Sequence, residues 1–400
     1  MRVLIVGNGL AGTIASKTLR ELDPSLEIEI FAAESHQYYP RPNLIEFLAG
    51  NLLRSDLFAF SAEWFENQKI SIHLGQPVVK LHPGAKEVEF RGGKKTSYDN
   101  LLLANGAYSW MPPINGVEKK GVFTLRTLDD ALGILAWIEE NSDVIIVGGG
   151  LLGLEIARAV RSRGANVQIV EFFPRLLPRQ LDTQGASVLQ SQIEDMGIKV
   201  RLGVVTEEVL GQERVKGLKL KNGEELKTQT AIVAAGVRPN IGLASEAGLK
   251  TDKGIIVDDH LRTSSPNIFA AGDSIQHDGR IYGIIPASFN QARTAAFNIA
   301  GQEKAYTGTV PSNTLKVVGL DLTAIGQVTP EEGSFEEYRK IVEEKGIYKK
   351  IVVQDGKLKG AIWMGTKENV NEINRLILQQ IDIEKWKESL IEDDFDFSVL

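Results

Sequence analysis

Two glycine-rich turns constrain this 400-residue chain more than anything else in it: Gly7-Asn8-Gly9-Leu10-Ala11-Gly12 and Gly148-Gly149-Gly150-Leu151-Leu152-Gly153. Each follows a short apolar run, 3–6 and 143–147, and each opens onto a helical pattern, 15–22 and 154–163. Strand, glycine turn and helix start together make a pyrophosphate site. The first glycine (Gly7, Gly148) allows the tight turn, the second (Gly9, Gly150) lets backbone approach phosphate, and the third (Gly12, Gly153) lets helix and strand pack closely. The helix start offers free N–H groups and a partial positive charge to an anion. One such motif is a weak signal. Two, each at a strand–turn–helix junction, predict an α/β protein with two Rossmann-like dinucleotide-binding domains.

The residue ending each following strand refines the ligand. In the second unit the strand 166–170 ends at Glu171. A carboxylate there accepts hydrogen bonds from both ribose hydroxyls of NAD and repels the 2′-phosphate of NADP. Phe172 and Phe173 follow, not a cation that would welcome that phosphate, so this unit is predicted to take NADH. In the first unit Ala32 falls where Glu171 stands, and Glu34 lies two residues further on. Glu34 is assigned to an adenosine ribose; the alternative is a surface carboxylate.

Composition removes whole classes of chemistry. The chain contains no cysteine, which excludes a redox disulfide, a sulfenate, thiolate zinc sites and Fe–S ligation by this chain. The five histidines show no metal-ligand spacing, so no metal is expected. Net charge is −7, which gives no reason to expect nucleic acid. No apolar run reaches membrane-spanning length. Because 2–6 already reads as a strand of a nucleotide fold, no signal peptide and a cytoplasmic location are expected. Glu331, Glu332, Glu336, Glu337, Glu343 and Glu344 read as a solvated face, and Glu392-Asp393-Asp394 as a frayed tail.

Between the turns, Tyr39-Pro40-Arg41-Pro42 fixes an extended backbone with Arg41 held between prolines. Arg41 is expected to face a diphosphate or ring system, or else to be solvent-exposed. The strand 99–104 ends in Ala104-Asn105-Gly106, a bend suited to passing close to a cofactor. Trp110 to Gly116 reads as a linker, and 128–141 as a helix. The strand 230–234 closes at Gly236-Val237-Arg238-Pro239-Asn240. A later buried strand ends at Gly272-Asp273, which puts one carboxylate at the ligand-binding edge of a sheet. Ser288 reads as the N-cap of a helix over 289–300. The hairpin at Asp355-Gly356 and the stripe Val370, Ile373, Leu376, Ile377 mark a small α+β unit at the end of the chain.

The order and spacing of Gly7–Gly12, Ala104-Asn105-Gly106, Gly148–Gly153 with Glu155, Gly236–Asn240 and Ala271-Gly272-Asp273 resemble the pyridine nucleotide–disulfide reductase superfamily. The resemblance covers about residues 1–310. It implies a glutathione-reductase-like fold with FAD on the first turn, NADH on the second, and Asp273 on the ribityl chain. The implied domains are 1–109 and 238–310 for FAD, 110–237 for NAD(H) inserted between them, and 311–400 as the C-terminal α+β domain. Tyr39-Pro40-Arg41-Pro42 and Thr314-Leu315-Lys316-Val317 look most like NADH:rubredoxin oxidoreductases and the flavin module of NADH-nitrite reductases. In single-cysteine members the redox cysteine would fall near Pro42.

The resemblance implies hydride transfer from nicotinamide to flavin without a disulfide half-reaction. It makes Glu155, Lys316 and Arg41 the candidate catalytic residues, with Lys316 opposite the charge of reduced flavin and Glu155 near the nicotinamide. For Lys316 and Glu155 the alternative is a plain surface charge. The implied acceptor is a small acidic carrier, rubredoxin or ferredoxin, drawn to Lys349 and Lys350 or to Lys119 and Lys120. Rival expectations are an NADH oxidase yielding hydrogen peroxide, an NADH-driven interaction protein, and an electron-input subunit of a larger complex. Monomer and dimer both remain open.

Overall fold

A computed structural model describes residues 1–139, 142–309, 313–330 and 333–400, with the side chains of 313–316 excepted. Its centre is a pair of five-stranded sheets. The first runs Ile70–His73, Glu27–Phe31, Arg2–Val6, Asn100–Leu103, Ile268–Ala270, all parallel. The second runs Lys199–Arg201, Asn166–Val170, Asp143–Val147, Thr230–Val233, Val122–Phe123, also parallel. The first three strands of the first sheet, and the first four of the second, are followed in sequence by a three-stranded antiparallel excursion before the chain returns. The two units are thus internal copies. The last strand of the first sheet lies beyond the whole second sheet in sequence, so the chain leaves the first sheet and comes back to it.

Parallel strands covered on both faces must be apolar along their length. Val3, Leu4, Ile5, Leu101, Leu102 and Leu103 are fully buried, as are Ile146 and Ile232 in the second sheet. The helices Leu10–Leu22 and Leu151–Ser162 cover the sheets with one apolar stripe each. Both start earlier than the periodicity predicts, because the glycine turn itself supplies the first helical turn. The helix Leu128–Trp137 is shorter than predicted; Asn141 lies outside the described residues.

A third sheet, antiparallel, is built from Asn313–Val317, Leu320–Gly326, Lys357–Met364, Ile347–Gln354 and Glu336–Val342. Its central hairpin turns at Asp355 and Gly356, both with positive φ (51° and 67°), as the Asp-Gly pair predicts. The helix Val370–Gln379 buries Ile373 and Leu376 on one face of this sheet. The other face brings Tyr348, Ile362 and Met364 into the core of the second sheet.

Two expectations fail here. Lys349 and Lys350 are 0% and 1% exposed, paired with Asp393 and with Asp182 and Glu337, so they offer no charge to a partner. The tail is not frayed: Glu392 and Asp393 bind Lys340, and Leu390, Ile391 and Phe397 are buried. The segment read as a linker is preceded by a strand, Ala107–Ser109, that pairs antiparallel with Val237–Pro239 where the chain passes between the sheets. Glu336 and Glu337 are exposed, as a solvated face requires, and pair with Lys387 and Lys350; Glu331 and Glu332 lie outside the described residues.

Hydrogen bonds from Lys349 and Lys340 hold the Asp393 carboxyl down at about 2, against an ordinary 3.8. A depressed carboxylate contributes stability above its unfolded pKa and loses it as pH falls through the folded one. The difference in urea midpoint between the protein and Asp393→Asn is therefore expected in full at neutral pH and to close between 3.8 and about 2. A difference independent of pH would remove this charge pair from the tail's attachment.

Candidate nucleotide sites

The two glycine turns are geometric copies. Gly7 N–H donates to Phe31 O and Gly148 N–H to Val170 O, both at 2.8 Å, so each turn is tied to the end of its neighbouring strand. Gly7 and Gly148 have φ of 110° and 122°, and a Cβ on them would stand 2.3 and 2.5 Å from Ala104 O and Ala234 O. A Cβ on Gly12 or Gly153 would stand 2.0 Å from the carbonyl oxygen of Gly7 or Gly148. At Gly9 and Gly150 the opposite holds: a Cβ would meet nothing within 4 Å. Both are N-caps without a side-chain cap bond. The N–H groups at Leu10, Ala11, Leu151 and Leu152 thus start helices that face open space, the shape a diphosphate fills.

Because each sheet is parallel, its strand ends gather at one edge. At the first sheet this edge brings together Gly7, Ala104-Asn105-Gly106 and Gly272-Asp273. A Cβ on Gly272 would stand 3.0 Å from Ala11 Cβ. Asp273 accepts from Arg126 Nη2 at 2.8 Å and from Ser288 Oγ at 3.4 Å. Asn105 and Asn240 exchange bonds, each amide donating to the other's backbone carbonyl at 2.9 and 2.8 Å. Asn8 Nδ2 and Asn105 Oδ1 are buried polar atoms without a partner. One donor and one acceptor at one cradle fit the pyrophosphate and ring edge of a bound flavin nucleotide. Ser288 is not the cap expected: the helix spans Ile285–Ile299, started by Pro286 in its first turn.

Glu34 and Arg41 lie together but engage each other. Arg41 pairs with Glu34, and Arg41 Nη1 also donates to Arg126 O at 2.7 Å. Tyr39, buried, donates its hydroxyl to Glu34 and accepts Leu128 N–H at 2.8 Å. Burial, with Glu34 beside it, pushes the Tyr39 hydroxyl well above its usual range. Pro42 starts the short helix Asn43–Ala49.

At the second sheet Glu171 is buried and turned inward. One carboxylate oxygen accepts Gly149 N–H, the other Phe173 N–H at 2.7 Å. Phe172 and Phe173 are exposed beside it. Gly236 (φ 100°) follows the strand Thr230–Val233 at the same edge. Glu155, one turn into the helix, accepts Val318 N–H at 2.5 Å and pairs with Arg158 at 2.9 Å. It therefore holds the hairpin tip just past the strand carrying Lys316, whose side chain lies outside the described residues. Lys119 Nζ donates to Val209 O.

Sequence reasoning missed Arg126. It donates to Asp273 and, through Nε at 3.1 Å, to Ala107 O, joining the second sheet's connection to the first sheet's edge. Its one sequence signal is the capping box Thr127–Asp130, which starts the next helix and fixes Arg126 just before it. Among the described residues there is no acidic or histidine cluster placed to hold a metal, and no helix long and apolar enough to cross a membrane.

Comparison with known proteins agrees with this geometry. Residues 1–297 match the family model of the pyridine nucleotide-disulphide oxidoreductases, and 311–381 that of the rubredoxin NAD+ reductase C-terminal domain. Nitrite reductase [NAD(P)H] of Bacillus subtilis is 34% identical over 96% of this chain and 48% of its own length. The chain spans about half the length of the nitrite reductases it matches. NADH oxidase of Methanocaldococcus jannaschii is 34% identical over 82% of this chain and 76% of its own. The crystal structure of a ferredoxin reductase for the CYP199A2 system of Rhodopseudomonas palustris superposes with a TM-score of 0.89 at 26% identity, covering 100% and 99% of the two chains. The chain belongs to the pyridine nucleotide-disulphide oxidoreductase family, with the glutathione-reductase-like fold, and FAD and NADH are the cofactors its two cradles fit.

Proposed function

We propose that this chain is a cytoplasmic NADH oxidoreductase that passes electrons through FAD to a small acidic iron carrier of the rubredoxin or ferredoxin type. The observation that carries the reading is the pair of duplicate cradles in a chain without a single thiol. The C-terminal match to the rubredoxin NAD+ reductase domain and the likeness to a ferredoxin reductase support the carrier. When bound, FAD supplies the chemistry that accepts a hydride and releases electrons one at a time.

The chain's own residues bind and orient. Gly7, Gly9, Leu10, Ala11 and Gly12 hold the FAD diphosphate; Ala104, Asn105, Gly106, Gly272 and Asp273 line the path of its ribityl chain and ring. Glu34, Arg41 and Pro42 flank it, with Arg126 steadying Asp273. Gly148, Gly150, Leu151, Leu152, Gly153, Glu171 and Gly236 hold NADH. Glu155, through Val318 N–H, ties the C-terminal sheet to the helix that starts at the second glycine turn, and Lys316 lies on the strand just before that contact. The domain limits are 1–109 with 238–310, 110–237, and 311–400. Stacking the rings in one site turns an encounter into an oriented step, worth up to ~7–11 kcal/mol in favourable cases.

A second reading is an NADH oxidase, the printed activity of the relative from Methanocaldococcus jannaschii. One experiment separates the two. NADH added without oxygen should bleach the yellow protein, which is then mixed with oxidised rubredoxin or aerated buffer. Much faster reoxidation by rubredoxin identifies a carrier reductase, and equal or faster reoxidation by air an oxidase. A protein that FAD cannot render yellow, or that NADH cannot bleach, refutes both.

Glu171 sets a further expectation. Glu171→Arg should lower the ratio of kcat/KM for NADH over NADPH by at least about tenfold, ~1.4 kcal/mol. An unchanged ratio takes Glu171 out of coenzyme choice.

A further inference from the structure

The segment 171–182 leaves the ligand edge of the second sheet at Glu171 and ends at Asp182. Its first end is tied to the second glycine turn. The Glu171 carboxylate accepts Gly149 N–H, and Leu177 N–H donates to Gly149 O at 3.2 Å. Its middle is sunk in the core, with Leu176, Leu177 and Leu181 fully buried. Arg175 spans it, donating to the carbonyls of Leu181 and Pro178. Leu177 holds a left-handed backbone, φ 46°, which a leucine adopts only where its surroundings enforce it.

The far end is tied to a different sheet. Asp182 Oδ1 caps the helix Thr183–Asp195 through Gly185 N–H at 3.0 Å. Asp182 Oδ2 accepts the Tyr348 hydroxyl at 2.7 Å and pairs with Lys350 Nζ at 3.0 Å. Burial works to raise the Asp182 pKa, but Gly185 N–H, Tyr348 and Lys350 hold the carboxyl below its ordinary value. Lys350 also pairs with Glu337, and Arg339 Nε lies 3.6 Å from Asp182 Oδ2, so the set ties the segment to two neighbouring strands of the C-terminal sheet.

We propose that Asp182 is a positioning residue for NADH: by fixing this segment to the C-terminal sheet, it keeps Glu171 and the second glycine turn in binding shape. The inference rests on the reading of that turn as the NADH site. It makes docking of the C-terminal sheet a condition of tight nucleotide binding.

The test is calorimetric titration of NAD+ into the oxidised, FAD-loaded protein. Asp182→Asn keeps a helix cap but loses the charge pair; Tyr348→Phe keeps the ring but loses one donor. Both are expected to raise Kd roughly fivefold to tenfold. KM for NADH should follow, while kcat at saturating NADH and bound FAD hold. Lys349→Met is the control. It removes a buried lysine from the same strand whose partner is Asp393 rather than the segment, and it should lower the melting midpoint with Kd unchanged. Unchanged Kd in Asp182→Asn and Tyr348→Phe overturns the proposal, and so does an equal rise in Lys349→Met, which would mean general loosening. If the unaltered protein binds no NAD+, the NADH reading itself has failed, and this inference with it.

Discussion

The site depends on two backbone approaches that no side chain could survive. Gly12 and Gly153 lie so close to the carbonyl oxygens of Gly7 and Gly148 that a Cβ would come within 2.0 Å. Nothing in that contact can give way, because both partners are backbone. The contact sets the distance of each helix from its strand, and with it the position of the uncapped helix start. The open space at Gly9 and Gly150 follows: the chain is packed tight on one side of the turn and vacant on the other. Open space bordered by the N–H groups of the helix start is what remains.

This explains which parts of the molecule could be read from sequence. The glycine turns, the hairpin at Asp355-Gly356 and the apolar stripe of the last helix are local constraints, each imposed within a few residues by backbone geometry or periodicity. The place of Glu171 at the end of its strand could be counted from the sequence, but not that its carboxylate accepts the Gly149 and Phe173 N–H groups. Arg126 was not, because its partner Asp273 is 147 positions away, and a capping box does not say what the preceding side chain reaches. The ribbon of Ala107–Ser109 with Val237–Pro239 was missed for the same reason. Lys349 and Lys350 look like surface charge in a one-dimensional reading. Only the fold shows that alternation in their strand gives way to burial on both faces, against the second sheet's core on one side and the tail on the other.

The three sheets are joined by polar contacts as well as apolar ones. The helix Asn43–Ala49 buries Leu44 and Leu48 in the core of the second unit, and Glu46 binds Arg158 at 2.6 Å. Arg158 binds Glu155, and Glu155 accepts Val318 N–H. A chain of charge thus runs from the first unit, across the helix that starts at the second glycine turn, to the C-terminal hairpin. Glu155, expected from resemblance to face the nicotinamide, carries this link. It lies two residues past Gly153, one turn past the helix start at Leu151. Both its oxygens are engaged, one by Val318 N–H and the other by Arg158.

Pro42 closes the argument about electron flow. From the family resemblance, the redox cysteine of single-cysteine members is expected near this position. Here the position is a proline that starts a short helix wedged between the two units. A proline ring offers neither a nucleophile nor an N–H, and the chain contains no thiol to replace it. In the function proposed above, electrons entering from NADH would meet no thiol in this chain. On that reading an acceptor would take its electrons from the flavin rather than from a protein sulfur, so what distinguishes this chain from a thiol-bearing one is the residue at position 42.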